Sequence, residues 1–186
     1  PDEAWFLLTD FFALCEHLGT VPSSWTLIRQ AHIPKPGKPP NPDGSFDAAS
    51  LRPIAVLSAW WRLFGIARLR SPEAAAWVKT WMPNEAFGGR SGVSTTDAII
   101  PVLGKAAQNH FVVSYDYSLA FDSVEPEFAI ELLDHLGCSA SFAAILRKVW
   151  CQQRRYLQYA GLTSDQPEDV STSLPQGDAW SMVAMG

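Results

Sequence analysis

Two aspartates six positions apart, Asp116 and Asp122, are the residues of this chain whose type and spacing most suggest chemistry. The apolar run at 112–113 leads into Asp116, and the residues that follow are again largely apolar. A carboxylate at the end of a buried strand is costly without a partner, and a hard divalent cation prefers such oxygen ligands. Asp116 could instead cap a short helix that begins near Tyr117. The stretch therefore predicts a strand that ends at Asp116, and by itself it leaves both roles open.

A basic region precedes these aspartates. Residues 29–90 contain nine Lys or Arg against four Asp or Glu, which gives a local charge of +5. Because the whole chain carries −5, the remainder carries −10. A cationic region beside an acidic one fits a polyanion site next to a metal site, although a solvated helix face would give part of the same count.

Three cations within this region stand out by their context. The loop at 34–44 contains five prolines and two glycines, which exclude a helix and a regular sheet. Lys35 and Lys38 on this loop suit contact with phosphate by point charge, unless the loop is a solvated linker. Arg52 interrupts the apolar, extended segment 51–57, so we expect it to have an anionic partner, either a carboxylate or a phosphate.

The surrounding elements are a mixture of helices and short strands without strict alternation, which favours the α+β class. Apolar residues dominate 3–18 and Gly19 follows them, which predicts a largely buried helix. Residues 25–33 predict the first strand of a hairpin, and 51–57 a second extended, buried segment. Helices are further predicted at 58–70, from Pro72 to about Met82, from Ser94 to about Asn109, from Pro126 to Gly137, from Ser139 or Ser141 to Trp150 and from Ser181 onward, with two short strands at 155–162 and 169–174.

The composition sets the class of protein. Apolar residues make up 47% of the 186 residues and charged residues 18%, which indicates a globular chain rather than a disordered one. We expect no membrane-spanning helix, because no apolar run reaches about 18 residues, and no signal peptide, because the first residues are acidic. Three cysteines without CxxC spacing suggest reduced core thiols in an intracellular protein.

Five short blocks, in this order, resemble those of a reverse transcriptase of the type found in non-LTR retrotransposons and related to group II intron enzymes. They are IPKPGK at 33–38, LRPIAVLS at 51–58, NEAFGGRS at 84–91 with TDAI at 96–99, YDYSLAFDSV at 115–124 and LPQGDAWS at 174–181. The resemblance implies a right-hand polymerase with helices packed on a small antiparallel sheet. The fingers would span residues 1–110, with the N-terminal helix and the basic loop, and part of the palm would span 111–186.

The resemblance also implies roles for individual residues. Asp116, helped by the backbone carbonyl of Tyr117, would bind two Mg²⁺ or Mn²⁺ ions that activate the primer 3′-hydroxyl and stabilise the leaving pyrophosphate. Phe121 would exclude a ribose 2′-hydroxyl and so select dNTPs. The other implied roles are triphosphate contact for Arg52 with Lys35 or Lys38, packing against nucleotide and template for Gln176 and Gly177, and support of the site for Asp122 and Arg90.

The function implied by the resemblance is RNA-directed DNA synthesis with an RNA template, a DNA primer and dNTPs as partners and no membrane. The protein would be intracellular, and nuclear if it comes from a eukaryotic retroelement. The alternative is a non-catalytic RNA-binding, maturase-like or degenerate retroelement protein that keeps the fold. The second palm motif of the family, an aromatic-x-Asp-Asp turn, is not among the 186 residues. We expect it after Gly186 in a longer protein, and we expect the 186-residue chain by itself to be inactive.

Overall fold

The computed structural model describes residues 2–88, 92–108 and 110–186. Helices and strands are intermixed in it, which confirms the α+β class. The helices are α1 (Asp2–Leu18), α2 (Ala59–Leu69), α3 (Pro72–Trp81), α4 (Thr95–Ala106), α5 (Pro126–His135), α6 (Ala140–Cys151) and α7 (Ala179–Ala184). The strands are β1 (Leu27–Pro34), β2 (Leu51–Val56), β3 (Arg154–Tyr159), β4 (Leu162–Thr163) and β5 (Glu168–Asp169), and short 3₁₀ turns lie at Ser23–Thr26 and Ala48–Ser50.

The sheet is mixed, with the order β2-β1-β3-β4 and with β5 also paired to β3. Strand β1 is antiparallel to β2, and Ile33 lies opposite Arg52. It is parallel to β3, and Ile28 lies opposite Arg155. The expectation of an antiparallel sheet is therefore wrong for this pairing, because the chain crosses over through several helices before it returns beside β1.

The predicted hairpin is confirmed by β1 and β2. Its proline-rich loop is not a featureless linker, because the amide of Lys35 donates to the carbonyl of Ser50 at 2.9 Å. Further along, the amide of Asn41 donates to the carbonyl of Ser45 at 2.8 Å. Asp43 accepts from both the amide and the hydroxyl of Ser45, at 2.9 and 2.7 Å. The loop thus closes on itself through local hydrogen bonds.

The predicted helix ends agree with the observed ones to within a few residues. Ser94 and Asp97 form a capping box at the start of α4, whose last residue is Ala106 rather than one near 109. At the other end of a helix, Gly19 follows α1 with φ +60°, a conformation that glycine adopts without strain. Capping signals therefore located the helices well.

The first helix is not largely buried, so that expectation is wrong. Only one stripe of α1 faces the core, with Cys15 buried and Phe12 half-buried. Phe12 packs edge-on to Trp25 and Phe64. The opposite stripe is exposed, and Leu7 retains 71% of its accessible surface. Apolar residues occur around the whole circumference of α1 and therefore predicted burial on all sides. The core, however, covers only one side of this helix.

The predicted buried strand that ends at Asp116 is also wrong. Residues 111–117 have no regular secondary structure and are exposed, with Val113 68% and Tyr115 83% accessible. A strand needs a neighbour for its backbone groups, and these residues pair with none of the described strands. The free edge of β2 instead receives the carbonyl of Gln176, which accepts from the amide of Ala55.

Three further strand expectations hold only in part. Of the segment predicted as buried at 51–57, Ala55 and Leu57 are buried, whereas the remaining residues are half-buried or exposed. The segment 155–162 is β3 followed by a tight turn into β4. From the segment 169–174, only Asp169 belongs to a strand, the two-residue β5.

The core is built around tryptophans. Trp61, Trp150 and Trp180 are all at most 1% exposed, and the ring of Phe142 lies 4.5 Å from that of Trp180. The indole N–H of Trp180 donates to the carbonyl of Gly65 at 3.0 Å. A Cβ at Gly65 would lie 3.3 Å from the Trp180 ring, so that glycine permits the close approach of α2 and α7.

None of the described helices has the length and apolar character that are needed to cross a membrane. The three cysteines are free, with Cys15 and Cys138 buried and Cys151 half-buried. The expectation of core positions is confirmed for Cys15 and Cys138.

These thiols should be unreactive in the folded protein. Burial raises the pKa of Cys138 to about 11. Burial, together with a hydrogen bond to the Glu127 carboxylate at 3.3 Å, raises the pKa of Cys151 to about 12. Little thiolate is therefore present at pH 8. We expect iodoacetamide to modify none of the three rapidly in the native chain and all three in denaturant, as read by mass spectrometry. Fast modification of Cys151 without unfolding would contradict this.

Candidate functional site

Two of the five sequence blocks are in direct contact. The amide of Leu174 donates to the carbonyl of Phe121, and the amide of Ser173 donates to the carbonyl of Val124, both at 2.9 Å. Leu174 is fully buried, and the side chain of Phe121 is half-buried against the core. The start of the LPQGDAWS block is therefore fixed to the end of the YDYSLAFDSV block.

A third block joins them at the edge of β2. The carbonyl of Gln176 accepts from the amide of Ala55 at 3.1 Å, so the LPQG turn is hydrogen-bonded to the free edge of the sheet. Gly177 has φ +111°, and a Cβ there would lie 3.4 Å from the carbonyl oxygen of Ala55. Both facts call for glycine.

The cations predicted to contact phosphate differ in their availability. Arg52 lies on β2, exposed, and its guanidinium makes no hydrogen bond or ion pair with any residue in 2–88, 92–108 or 110–186. The ammonium of Lys35 donates to the carbonyl of Ala49 at 2.8 Å and so holds the loop closed. Lys38 is exposed on the same loop. Arg52 and Lys38 are thus the better placed of the three to meet an anion in solution.

Asp116 and Tyr117 lie in the exposed segment before the 118–123 turn. Asp116 is exposed, and it has no hydrogen-bond or ion-pair partner within the described part of the chain. That part also contains no cluster of three or more side chains of His, Cys, Asp or Glu able to hold a metal. A solvated carboxylate suits Mg²⁺ chemically, but Asp116 is a single carboxylate, and the resemblance implies a site for two metal ions.

Asp122 belongs to a different set of contacts. Its carboxylate accepts from the hydroxyl of Ser173 at 3.1 Å, and that hydroxyl accepts from the guanidinium of Arg155 at 3.0 Å. Burial lowers the pKa of Arg155, and the charge of Asp122 opposes this shift. Asp122 thus links the YDYSLAFDSV block to a buried arginine.

A buried acid, Asp178, ends the LPQG turn. It is 2% exposed, and its carboxylate accepts from the indole N–H of Trp61 at 3.1 Å and of Trp150 at 2.9 Å. The hydroxyl of Ser181 also donates to it, at 3.3 Å. Burial raises the pKa of Asp178, while these hydrogen bonds oppose the rise. One carboxylate therefore joins α2, α6 and α7 to the turn.

Sequence reasoning did not single out Arg155, Ser173 or Asp178. A signal existed for Arg155, because it enters a strand as Arg52 does and the same need for partners applies. A weaker signal existed for Asp178, since buried indole N–H groups require acceptors. The sequence offered none for Ser173. Arg90, predicted to support the site, lies outside the described residues.

Comparison with known proteins identifies no family for this chain. No protein-family model matches the sequence, and no curated protein matches it. The sequence blocks and the contacts between them therefore carry the functional argument.

Proposed function

We propose that this chain is the fingers and the first part of the palm of an RNA-directed DNA polymerase, a reverse transcriptase of the non-LTR retrotransposon and group II intron type. In the complete protein it would add dNTPs to a DNA primer on an RNA template, by two-metal phosphoryl transfer. The chain alone would lack this activity, because Asp116 is a single carboxylate.

The observation that carries the proposal is the meeting of three separate blocks at one place. Ala55, Phe121 and Gln176 come from blocks that are far apart in sequence, yet they are joined by the backbone hydrogen bonds at Leu174 and Ala55. The resemblance assigns contact with the incoming nucleotide to each of these three blocks. Their contact is what the resemblance requires of three blocks that share one nucleotide site.

Each predicted site residue would have its own role in binding the incoming nucleotide or the metal. Arg52 would donate from its planar guanidinium to the triphosphate oxygens, and Lys38 would add a point charge. Gly177 would let the backbone approach the nucleotide closely, and Phe121 would exclude a 2′-hydroxyl. Mg²⁺ ions, when bound, would activate the primer hydroxyl and stabilise charge on the leaving group, with Asp116 as one ligand.

Primer extension tests the proposal. The polymerase that contains this chain together with its downstream Asp-Asp motif should extend a DNA primer on an RNA template with dNTPs, should stop when EDTA is added, and should use rNTPs poorly. Template binding without any incorporation would reject the polymerase and favour the non-catalytic RNA-binding alternative. Equal use of rNTPs and dNTPs would reject the role of Phe121.

Salt dependence tests the phosphate contact of Arg52. A contact between a cation and phosphate weakens as salt is added, so it makes binding dependent on salt. We therefore expect Arg52→Gln to weaken binding of the incoming dNTP by the proposed polymerase and to flatten the slope of log affinity against log salt. Arg70→Gln, a change at an exposed arginine just after α2, is the matched control. An unchanged slope in the Arg52 variant would show that this arginine is only solvated.

A further inference from the structure

Arg155 is a buried cation that is bonded mainly to neutral groups. It is 5% exposed, and its guanidinium donates to the side-chain oxygen of Gln30 at 2.6 Å. It donates twice to the side-chain oxygen of Gln153, at 3.0 and 2.6 Å, and once to the hydroxyl of Ser173 at 3.0 Å. No salt bridge of Arg155 occurs among the described residues. The carboxylate of Asp122 favours the charged form of Arg155, and it is connected to the guanidinium through the hydroxyl of Ser173.

Ser173, between these two charges, has an unusual backbone. Its φ is +87°, in the left-handed region that residues with a side chain rarely adopt. The conformation is held from several sides, because its amide donates to Val124 and its carbonyl accepts from the amide group of Gln153 at 2.8 Å. Its hydroxyl accepts from Arg155, and it has two acceptors within reach of its own proton, the carboxylate of Asp122 at 3.1 Å and the carbonyl of Leu174 at 3.2 Å. The surroundings thus impose a strained conformation at one defined point.

That point lies immediately before the LPQG turn. The next amide, that of Leu174, is bonded to the carbonyl of Phe121, and two residues further on the carbonyl of Gln176 is bonded to Ala55. A change in the backbone at Ser173 therefore shifts both segments. Phe121 and Gln176 are the residues that the proposed function places against the incoming nucleotide.

A need for stability alone does not account for this arrangement. A buried arginine with neutral acceptors is commonly less favourable than apolar residues of similar volume. Glycine would adopt φ +87° without strain. A charged network and a strained residue together, next to a candidate site, point to a requirement for geometry.

We propose that Arg155 and Ser173 are positioning residues, which with Asp122 fix Phe121 and Gln176 in the orientation that receives the incoming dNTP. The inference rests on the proposed polymerase function. The network acts through the backbone of the LPQG turn and does not itself touch the nucleotide.

Single-nucleotide incorporation by the complete polymerase tests the inference. Ser173→Ala removes the hydroxyl, whereas Ser173→Gly removes it and also relaxes the backbone. Arg155→Lys keeps the charge but loses the fork that reaches three acceptors. The matched control is Arg154→Lys, which alters the neighbouring, exposed arginine of the same strand.

We expect each of the three network variants to raise KM for dNTP by about tenfold, with a much smaller change in kcat. The control should stay within about twofold. Both serine variants lack the hydroxyl and should therefore show the same rise in KM. Ser173→Gly should have the higher melting temperature of the two, because glycine relaxes the backbone. An equal KM at unequal stability would show that KM depends on the hydroxyl. A purely structural role would lower the active fraction, and therefore apparent kcat, at unchanged KM.

The outcomes separate the two proposals. Wild-type polymerase that incorporates dNTPs, with KM unchanged in the variants, overturns the positioning role and leaves the proposed function standing. Wild-type protein without metal-dependent incorporation overturns the proposed function, and the positioning role with it. If Arg155→Lys does not fold, the two Ser173 variants still test the positioning role. Ser173→Gly should fold, because glycine relaxes a strained backbone.

Discussion

In the polymerase proposed above, replacing Asp116 with asparagine should lower the rate of nucleotide incorporation by about a thousandfold. The loss of one metal ligand removes several kcal/mol of charge stabilisation from the transition state, and each ~1.4 kcal/mol is tenfold in rate. Asp116 is exposed and without a partner in the described ranges. Its substitution should therefore leave the melting temperature unchanged, so that the loss would be one of chemistry.

The control for this experiment is Asp165→Asn, which changes another exposed aspartate, in the bend between β4 and β5. It should retain wild-type rates and wild-type dependence on Mg²⁺. Raising the Mg²⁺ concentration should recover little activity in the Asp116 variant, because the variant lacks a carboxylate that we propose as a ligand of the metal. Activity within about threefold of wild type would show that Asp116 is not a metal ligand, because the loss of a ligand should lower the rate far more than threefold.

Replacing Asp178 with alanine should lower the free energy of unfolding by about 4 kcal/mol, because two buried indole N–H groups lose their acceptor and each such loss costs about 1–3 kcal/mol. The indoles are those of Trp61 and Trp150.

Asp178→Asn should lower the free energy of unfolding by less than Asp178→Ala does, since its carbonyl still accepts from one indole while its NH₂ group faces the other. Urea denaturation measures both. Asp165→Ala, on the surface, should change stability little. An Asp178→Ala variant as stable as wild type would contradict the role assigned to these bonds.

The pH dependence of stability follows from the same carboxylate. Burial raises the pKa of Asp178 in the folded chain above its value of about 3.9 in the unfolded chain. Between these two values the folded protein retains a proton that the unfolded protein has lost. The contribution of this group is thus fully present below pH ~3.9 and is lost as the pH rises through the folded value. Asp178→Asn should make the free energy of unfolding vary less with pH in this window.

Local signals in the sequence predicted the elements that have local causes. Prolines and glycines between 34 and 44 predicted the break between β1 and β2. Ser94 predicted the start of α4, where it forms a capping box with Asp97. Gly19 marked the end of α1. In each case the residues that determine the structure lie within one turn or one loop of each other.

Features with distant partners escaped prediction. Arg155 is bonded to Gln30, 125 positions away in sequence, and Asp178 to Trp61, 117 positions away. The apolar run before Asp116 looked like a strand, but no strand pairs with it in the described chain. Pairing partners are set by the tertiary structure, so periodicity alone does not reveal them.

The central place of β1 in the sheet has a consequence for synthesis of the protein. Its partner β2 follows after a short loop, whereas its other partner, β3, begins only at Arg154. At translation rates of about 5–20 residues per second, the intervening stretch of roughly 120 residues takes on the order of ten seconds to emerge. During that interval one edge of β1 is open to pairing with other chains. Nascent chains halted before β3 should therefore aggregate more readily or depend more on chaperones than chains released after it.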